Sequence, residues 1–255
     1  HHIFISHLHG DHVFGLFGLL SSLGMMGRKI PLHLYGPEKL GPMIEQHFSF
    51  FGLLPFKLVF HIPDPEGKSF IYEDERVEVL PIPLKHRTPT FGYLFREKAR
   101  LLNVRKEQVD AYGLGIAEVV KAKRGEDILR SDGEHIPNSL LTLPPYRRRS
   151  YAYLSDTLYD PDLVERVRGV DLLFHEATFA EKDSRLAGQT MHSTARQAAS
   201  LAKYAGVAQL LIGHFSTRYR DPLILEKEAK EVFERTSAVK DGDRYSVPLQ
   251  RLSGE

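Results

Sequence analysis

The chain has no cysteine, so it can form neither a disulfide framework nor a thiolate metal site, and any metal it holds must rest on nitrogen and oxygen ligands. The same absence fits a reducing compartment, and a cytoplasmic protein is expected. Net charge is almost lacking as well: 34 Lys and Arg face 33 Asp and Glu, leaving +1 at pH 7. A nucleic-acid partner would therefore be held by local basic patches and not by the field of the whole molecule. Long apolar runs are missing too. No stretch reaches the roughly eighteen consecutive apolar residues that a membrane-spanning helix needs, and the apolar segment 13–26 is short and broken by Gly15, Gly18 and Gly24. No membrane partner is expected. Internal repeats and low-complexity tracts are absent. His1 stands in what reads as the middle of a strand, with neither an initiator Met nor a turn before it. An N-terminal segment is thus expected to precede it, and a targeting peptide is not readable.

What is present suits one globular domain. The chain has 255 residues, 42% of them hydrophobic, enough to bury a large α/β core. Its most informative stretch is His7-Leu8-His9-Gly10-Asp11-His12, directly after the apolar run Ile3-Phe4-Ile5. Four metal-binding side chains fall within these six residues, three of them imidazoles. In a strand-to-loop-to-helix turn, His7 and His9 can point into one site. Asp11 and His12, just past a permissive glycine, can reach a second site beside it. A two-metal hydrolase needs that arrangement. A histidine tag, by contrast, is a run of consecutive His with no interleaved Asp and no preceding strand.

Periodicity predicts strands at 2–6, 32–35, 56–62, 69–72, 76–84, 151–154, 170–174 and 208–212. Helices are predicted at 13–26, from Gly36-Pro37 to about Phe51, from Asp160-Pro161 to Arg168, over 194–205, and from Asp221-Pro222 to about Arg235. Residues 96–130 differ, being polar and poorly periodic. His86, Asp156, His175 and His214 each stand immediately after an apolar strand, as His7 does. Binding and catalytic groups of layered α/β folds gather on the loops leaving strand ends, at one edge of the sheet.

The opening string resembles the HxHxDH signature of the metallo-β-lactamase superfamily. Its flanks, Phe4-Ile5-Ser6 before and Phe14-Gly15-Leu16 with Gly18-Leu19-Leu20 after, resemble the ribonuclease Z family, endonucleases that trim precursor tRNA 3′ ends. Further contexts resemble that family along nearly the whole chain: Leu84-Lys85-His86-Arg87 ahead of Phe91-Gly92-Tyr93, Tyr153-Leu154-Ser155-Asp156-Thr157, and Gly213-His214-Phe215-Ser216-Thr217-Arg218-Tyr219. The resemblance implies a four-layered αββα sandwich whose earliest strands would lie before His1. It also implies a zinc-dependent phosphodiesterase that removes 3′ trailers from precursor tRNA with a hydroxide shared by two ions. By resemblance, His7, His9 and His86 bind the first metal, Asp11, His12 and His214 the second, and Asp156 bridges them. The metal would be two Zn²⁺, although an N/O ligand set suits Mn²⁺ as well. Asp11 would orient the hydroxide and take its proton, and the protein would act as a homodimer, with segment 13–26 a candidate for part of that interface.

Expelling a 3′ alkoxide also requires a general acid. His175-Glu176-Ala177-Thr178 and His192-Ser193-Thr194 both resemble motifs of the same family. His192 is expected to protonate the leaving oxygen, with Glu176 orienting it and raising its pKa. His175 is expected to make a supporting hydrogen bond to a metal ligand and to play no catalytic part.

For substrate, residues 96–130 carry nine basic and six acidic side chains, an excess of three positive charges. The segment resembles the family's tRNA-gripping arm inserted into a single domain spanning 1–255, with Gly113-Leu114-Gly115 where many members have a Gly-Pro-rich run. Pro144-Pro145-Tyr146-Arg147-Arg148-Arg149 is a second candidate for contacts to phosphate and base. Two other functions compete. One is another hydrolase of the superfamily, such as a cyclic-nucleotide or small-diester phosphodiesterase. The other is a metal-stabilised RNA-binding protein without catalysis, which would require a missing ligand or acid, and none is missing.

Overall fold

A computed structural model describes residues 1–252; the last three of the expected 1–255 domain lie outside it. Contacts divide the chain into two compact units, His1–Arg96 with Ser150–Tyr245, and Glu97–Arg149 with Ser246–Glu255.

The elements run in chain order as β1 (His2–Phe4), α1 (Gly10–Met25), β2 (Leu32–Tyr35), α2 (Leu40–Phe51), β3 (Leu58–His61), β4 (Tyr72–Glu73), β5 (Val77–Leu84) and β6 (Thr90–Glu97). The second unit contributes α3 (Lys106–Ala111), α4 (Ile116–Lys123), β7 (Ile128–Leu129), β8 (His135–Ile136) and α5 (Asn138–Leu141). The first unit resumes with β9 (Ser150–Leu154), α6 (Leu163–Arg166), β10 (Leu172–Glu176), α7 (Ser184–Thr190), α8 (Ala195–Ala205), β11 (Gln209–Gly213), α9 (Leu223–Lys230) and β12 (Thr236–Ala238).

Within the first unit, β1, β2 and β3 form a parallel sheet. Strands β12-β11-β10-β9-β6-β5-β4 form a second, mixed sheet, parallel from β12 to β9 and antiparallel between β9 and β6. Helix α1 buries Val13, Leu16 and Leu20, three- and four-residue spacings that put one stripe on the first sheet. Helix α8 is alanine-rich on its buried face, which lets it pack closely on β10 and β11. Thr194 and Gln197 form its capping box, and Gly206 ends it in the left-handed region at φ 64°. Between the sheets, Phe4 meets Tyr93 and Phe95 edge-on, 5.1 and 5.2 Å between ring centroids. The layers are therefore helix, sheet, sheet, helix, the αββα sandwich expected. Gly92 is required where β6 meets β9, because a Cβ there would lie 2.5 Å from the Tyr153 carbonyl oxygen.

Several elements depart from expectation. Strand β6 escaped the periodicity because it is buried on both faces over Thr90–Leu94 and does not alternate. Helix α2 begins at Leu40, after a turn in which the Leu40 amide donates to the Pro37 carbonyl. Helix α9 ends at Lys230, short of Arg235, so that Thr236 can start edge strand β12. The polar insert is longer and more ordered than expected, extending to Arg149. Its own small core holds Leu114, Ala122, Ile128, Ile136 and Leu141. Among the described residues no helix is long and apolar enough to cross a membrane.

Candidate metal centre

Strand ends deliver the polar groups to one edge of the first unit. His7 and His9 follow β1 on the loop entering α1, Asp11 and His12 sit in the first turn of α1, His86 follows β5, Asp156 follows β9, Glu176 closes β10, and His214 follows β11. The leading loop is pinned to β6: the Phe91 amide donates to the Ser6 carbonyl at 2.9 Å and the Tyr93 hydroxyl donates to the Ile5 carbonyl at 2.8 Å. His214 occupies the left-handed region at φ 59°, a conformation that costs a non-glycine residue free energy and persists where surrounding contacts impose it.

The groups converge as two sets. Ligand atoms of His7, His9, His86 and Asp156 lie within 4.8 Å of one another, as do those of Asp11, His12 and His214. Asp156 joins them through its two oxygens. Oδ2 faces His7 Nε2 at 3.6 Å and His86 Nε2 at 3.7 Å, whereas Oδ1 faces His12 Nε2 at 3.3 Å and His214 Nε2 at 3.5 Å. Asp11 Oδ2 approaches His12 Nε2 at 3.4 Å and His214 Nε2 at 3.5 Å. All residues named from the sequence as ligands therefore meet in one cluster.

The donor set fits divalent cations. His7 Nε2 and His9 Nδ1 stand 3.1 Å apart, and His9 Nδ1 and His86 Nε2 3.4 Å apart. The opposite nitrogens of two of these rings are engaged elsewhere, His86 Nδ1 donating to the Met191 carbonyl at 2.9 Å and His7 Nδ1 lying 3.1 Å from Ser6 Oγ. The carbonyl, which can only accept, fixes for His86 the tautomer whose inward Nε2 carries a lone pair. Burial, reinforced by the neighbouring His12 ring, lowers the His7 pKa to about 3, and burial likewise lowers that of His86. For Asp156, burial alone would raise the pKa, but the hydrogen bond with His12 and the charges of His214, His12 and His7 hold it well below the usual carboxylate range. At neutral pH the buried Asp156 carboxylate thus faces the neutral His7 and His86 rings, nitrogen and oxygen donors of the kind N/O-ligated metals take. The pull toward positive charge is visible at His12, whose pKa is raised despite burial by Asp156 and Asp11.

Beside the ligands lies a Glu-His pair. Glu176 is fully buried. Its Oε1 accepts from the amides of Thr157 at 3.2 Å and Ser193 at 2.9 Å and from His192 Nδ1 at 3.0 Å, and its Oε2 accepts from the Thr178 amide at 2.9 Å. Burial works against a charge on His192, yet the Glu176 carboxylate outweighs it and the pKa is raised. With Nδ1 directed at Glu176, Nε2 is the nitrogen left to face a substrate.

His175 departs from expectation. It leaves β10 on the face opposite Glu176. Its Nδ1 contacts the Glu176 carbonyl at 2.6 Å, and its buried Nε2 has no hydrogen-bond partner among the described residues. It supports no ligand directly.

Sequence reading did not single out Thr178. Its hydroxyl donates to Glu176 Oε2 at 2.8 Å and so accepts from His214 Nδ1 at 2.9 Å, tying the Glu176-His192 pair to His214. Its place two residues past Glu176 was the available signal. Replacing it as Thr178→Val keeps the shape and removes the tie. Affinity of the second ligand set for Zn²⁺, read by competition with a chromogenic chelator, should fall about 10- to 100-fold; unchanged affinity would show that His214 needs no such support.

Comparison with solved structures gives human tRNase Z, short form, at a TM-score of 0.64 and 25% identity, covering 97% of this chain and 79% of that one. A long form RNase Z from yeast shares the fold, with a TM-score of 0.57 at 16% identity over 86% of this chain and 29% of that one. Fold and site together define a hydrolase scaffold of the metallo-β-lactamase type, and a model of the Beta-lactamase superfamily domain matches residues 1–118 and 108–215. Ribonuclease Z of Bacteroides fragilis (strain YCH46) is 48% identical over 241 residues, 94% of this chain and 79% of that protein; Ribonuclease Z of Porphyromonas gingivalis (strain W83) is 46% identical over 250 residues, 96% and 81%. The chain belongs to the ribonuclease Z family of hydrolases.

Proposed function

We propose that this protein is an endoribonuclease that removes 3′ trailers from precursor tRNA, using a pair of Zn²⁺ ions held by His7, His9 and His86 on one side, Asp11, His12 and His214 on the other, and Asp156 between. The observation that carries the reading is the division of Asp156, one oxygen toward each imidazole set. When bound, such ions acidify water toward neutral pH and offset charge developing on a phosphoryl oxygen. The rest falls to side chains. Asp11, whose carboxylate is 67% exposed at the start of α1, is placed to orient the attacking water and accept its proton. Burial opposes its ionisation, but His12, the backbone and His214 together lower its pKa, so it is a carboxylate at neutral pH. His192 donates the proton that the departing 3′ oxygen needs, and Glu176 holds the ring and favours its charged form.

The second unit serves as the substrate-binding arm. The partner in assembly is a second copy of the chain. Helix α1 turns Phe14, Leu19 and Met25 outward, and Phe50, Phe51 and Leu53 are exposed at the end of α2, an apolar surface of the kind that marks an interface.

Incubating the protein with a precursor tRNA carrying a 3′ trailer, and mapping the new end, tests the function. Cleavage at the trailer junction, lost on chelation and restored by Zn²⁺, is the expected result. Hydrolysis of small diesters with an intact precursor would instead assign the centre to the small-diester phosphodiesterases.

A further inference from the structure

A second group of imidazoles lies in the first unit and shares no residue with the metal centre. His2, His33 and His61 stand on β1, β2 and β3. His2 is paired with His33, and His61 with Tyr35, so all three side chains leave one face of the parallel sheet. Phe4 leaves the same face to meet Tyr93 and Phe95, which makes it the face turned toward the second sheet. All three rings are half-buried. His33 Nδ1 and His61 Nε2 stand 2.9 Å apart, and ring centroids are 5.2 Å apart for that pair and 5.0 Å apart for His2 and His33. The buried Tyr35 holds both outer rings: it stacks on His61 at 4.4 Å, and its hydroxyl lies 3.0 Å from His2 Nδ1. Tyr72 of β4 lies against His2, 4.3 Å between centroids, and donates to Asp74 Oδ2 at 2.7 Å. A cleft of about 450 Å³, lined in part by His61, Phe70 and Ile71, opens beside the cluster.

Two imidazole nitrogens bound to one tetrahedral ion at roughly 2.0–2.1 Å lie about 3.3 Å apart. The ligand pairs of the metal centre have that spacing: 3.1 Å for His7 and His9, 3.4 Å for His9 and His86, 3.3 Å for His12 and His214. Their centroid separations, 5.0 Å for His9 and His86 and 5.1 Å for His12 and His214, also match those of the second group. His33 and His61 would therefore open by only a few tenths of an ångström to admit an ion. Burial and the neighbouring His33 ring lower the pKa of both His2 and His61, so each is neutral and carries a lone pair at neutral pH. Asp74 works against that lowering at His2, so its negative charge is near enough to offset that of a cation. A lone hydrogen bond between His33 and His61 would account for their contact but not for the third imidazole or for the hold of Tyr35 on both outer rings.

We propose that His33 and His61, completed by His2, form a separate structural site for one divalent transition-metal cation. An all-imidazole donor set selects ions such as Zn²⁺ and Cu²⁺ over Mg²⁺ and Ca²⁺, which take oxygen ligands. With Nδ1 directed at Tyr35, Nε2 is the nitrogen that His2 turns toward the pair. The ion would pin β1 to β2 and β3, and β1 is the strand that leads into His7. The site stands whether or not the metal centre acts on RNA.

The test equilibrates the full chain with Zn²⁺ against a chromogenic chelator and counts bound metal, with hydrolysis of bis(4-nitrophenyl) phosphate and thermal unfolding measured alongside. The parent should bind one equivalent more than His33→Gln/His61→Gln, while diester hydrolysis stays within about twofold because the ligands of the metal centre are untouched. His61→Phe keeps a ring against Tyr35 and removes the nitrogen, so it should lose the same equivalent in a protein that still folds. His2→Gln should keep the equivalent but hold it about 10- to 100-fold more weakly. Saturating this site should raise the Tm of the parent and not that of His61→Phe. Asp156→Asn, which disturbs only the metal centre, should retain the extra equivalent. Equal metal content in the parent and in a folded, active His61→Phe would overturn the proposal and leave the cluster as a hydrogen-bonded stack. Loss of the extra equivalent in His47→Gln in its place would assign it to a surface histidine and overturn the proposal too.

Discussion

Asp156→Asn is expected to lower turnover of precursor tRNA and of a small chromogenic diester alike, by more than about a hundredfold, and to reduce the bound Zn²⁺ measured after dialysis. The basis is geometric. One carboxylate serves both imidazole sets, Oδ2 toward His7 and His86 and Oδ1 toward His12 and His214. An amide keeps the volume and one acceptor oxygen but presents an NH₂ to the other set, where lone pairs are needed, and it removes the buried negative charge that favours cations. Loss of a residue that only supports a ligand typically costs 10- to 100-fold in metal affinity or activity, and loss of a carboxylate that faces both imidazole sets should exceed that. Because the defect lies in the centre and not in recognition of RNA, both substrates should suffer equally and tRNA binding should survive. A variant that retains two equivalents of metal and parental turnover would remove Asp156 from the bridge.

The same residue shows why much of the centre was legible beforehand. Ligands of a layered fold arrive on strand ends, and strand ends are readable wherever a buried apolar run stops at a polar residue. That is the local pattern before His7, His86, Asp156 and His214. Glu176 and His175 tested the limit of the rule. The run there continues through both, and only the alternation of a strand that includes them separates the one facing the cluster from the one facing away. Thr178 and the Met191 carbonyl were harder. A hydroxyl acting between Glu176 and His214, and a main-chain oxygen at φ 58° receiving His86 Nδ1, depend on tertiary placement that composition does not encode. The second unit was misread for a related reason. Its helices are short and polar, its core is five buried residues drawn from 114–141, and so few apolar positions set no recognisable period.

His192→Ala should separate the two substrates that Asp156→Asn treats alike. RNA cleavage expels an alkoxide, which leaves slowly unless protonated, and a positioned acid is worth about 10²- to 10⁴-fold. A nitrophenolate departs without that help, so hydrolysis of bis(4-nitrophenyl) phosphate should change by no more than about threefold. The structure supports this division because His192 is set beside the cluster, with Nδ1 held by Glu176 at 3.0 Å and 4.0 Å from Asp156 Oδ2. Removing the ring leaves His7, His9, His86, Asp11, His12 and His214 in place, so metal content should match the parent. The pH profile supplies an independent reading. The pKa of His192 is raised, with Glu176 outweighing burial, so the parent's RNA cleavage should decline as pH rises through that elevated value and the proton is lost. The variant, having no such proton to lose, should show no matching alkaline limb. Equal losses on both substrates, or an unchanged alkaline limb, would place the acid elsewhere and leave His192 as a residue that only shapes the pocket.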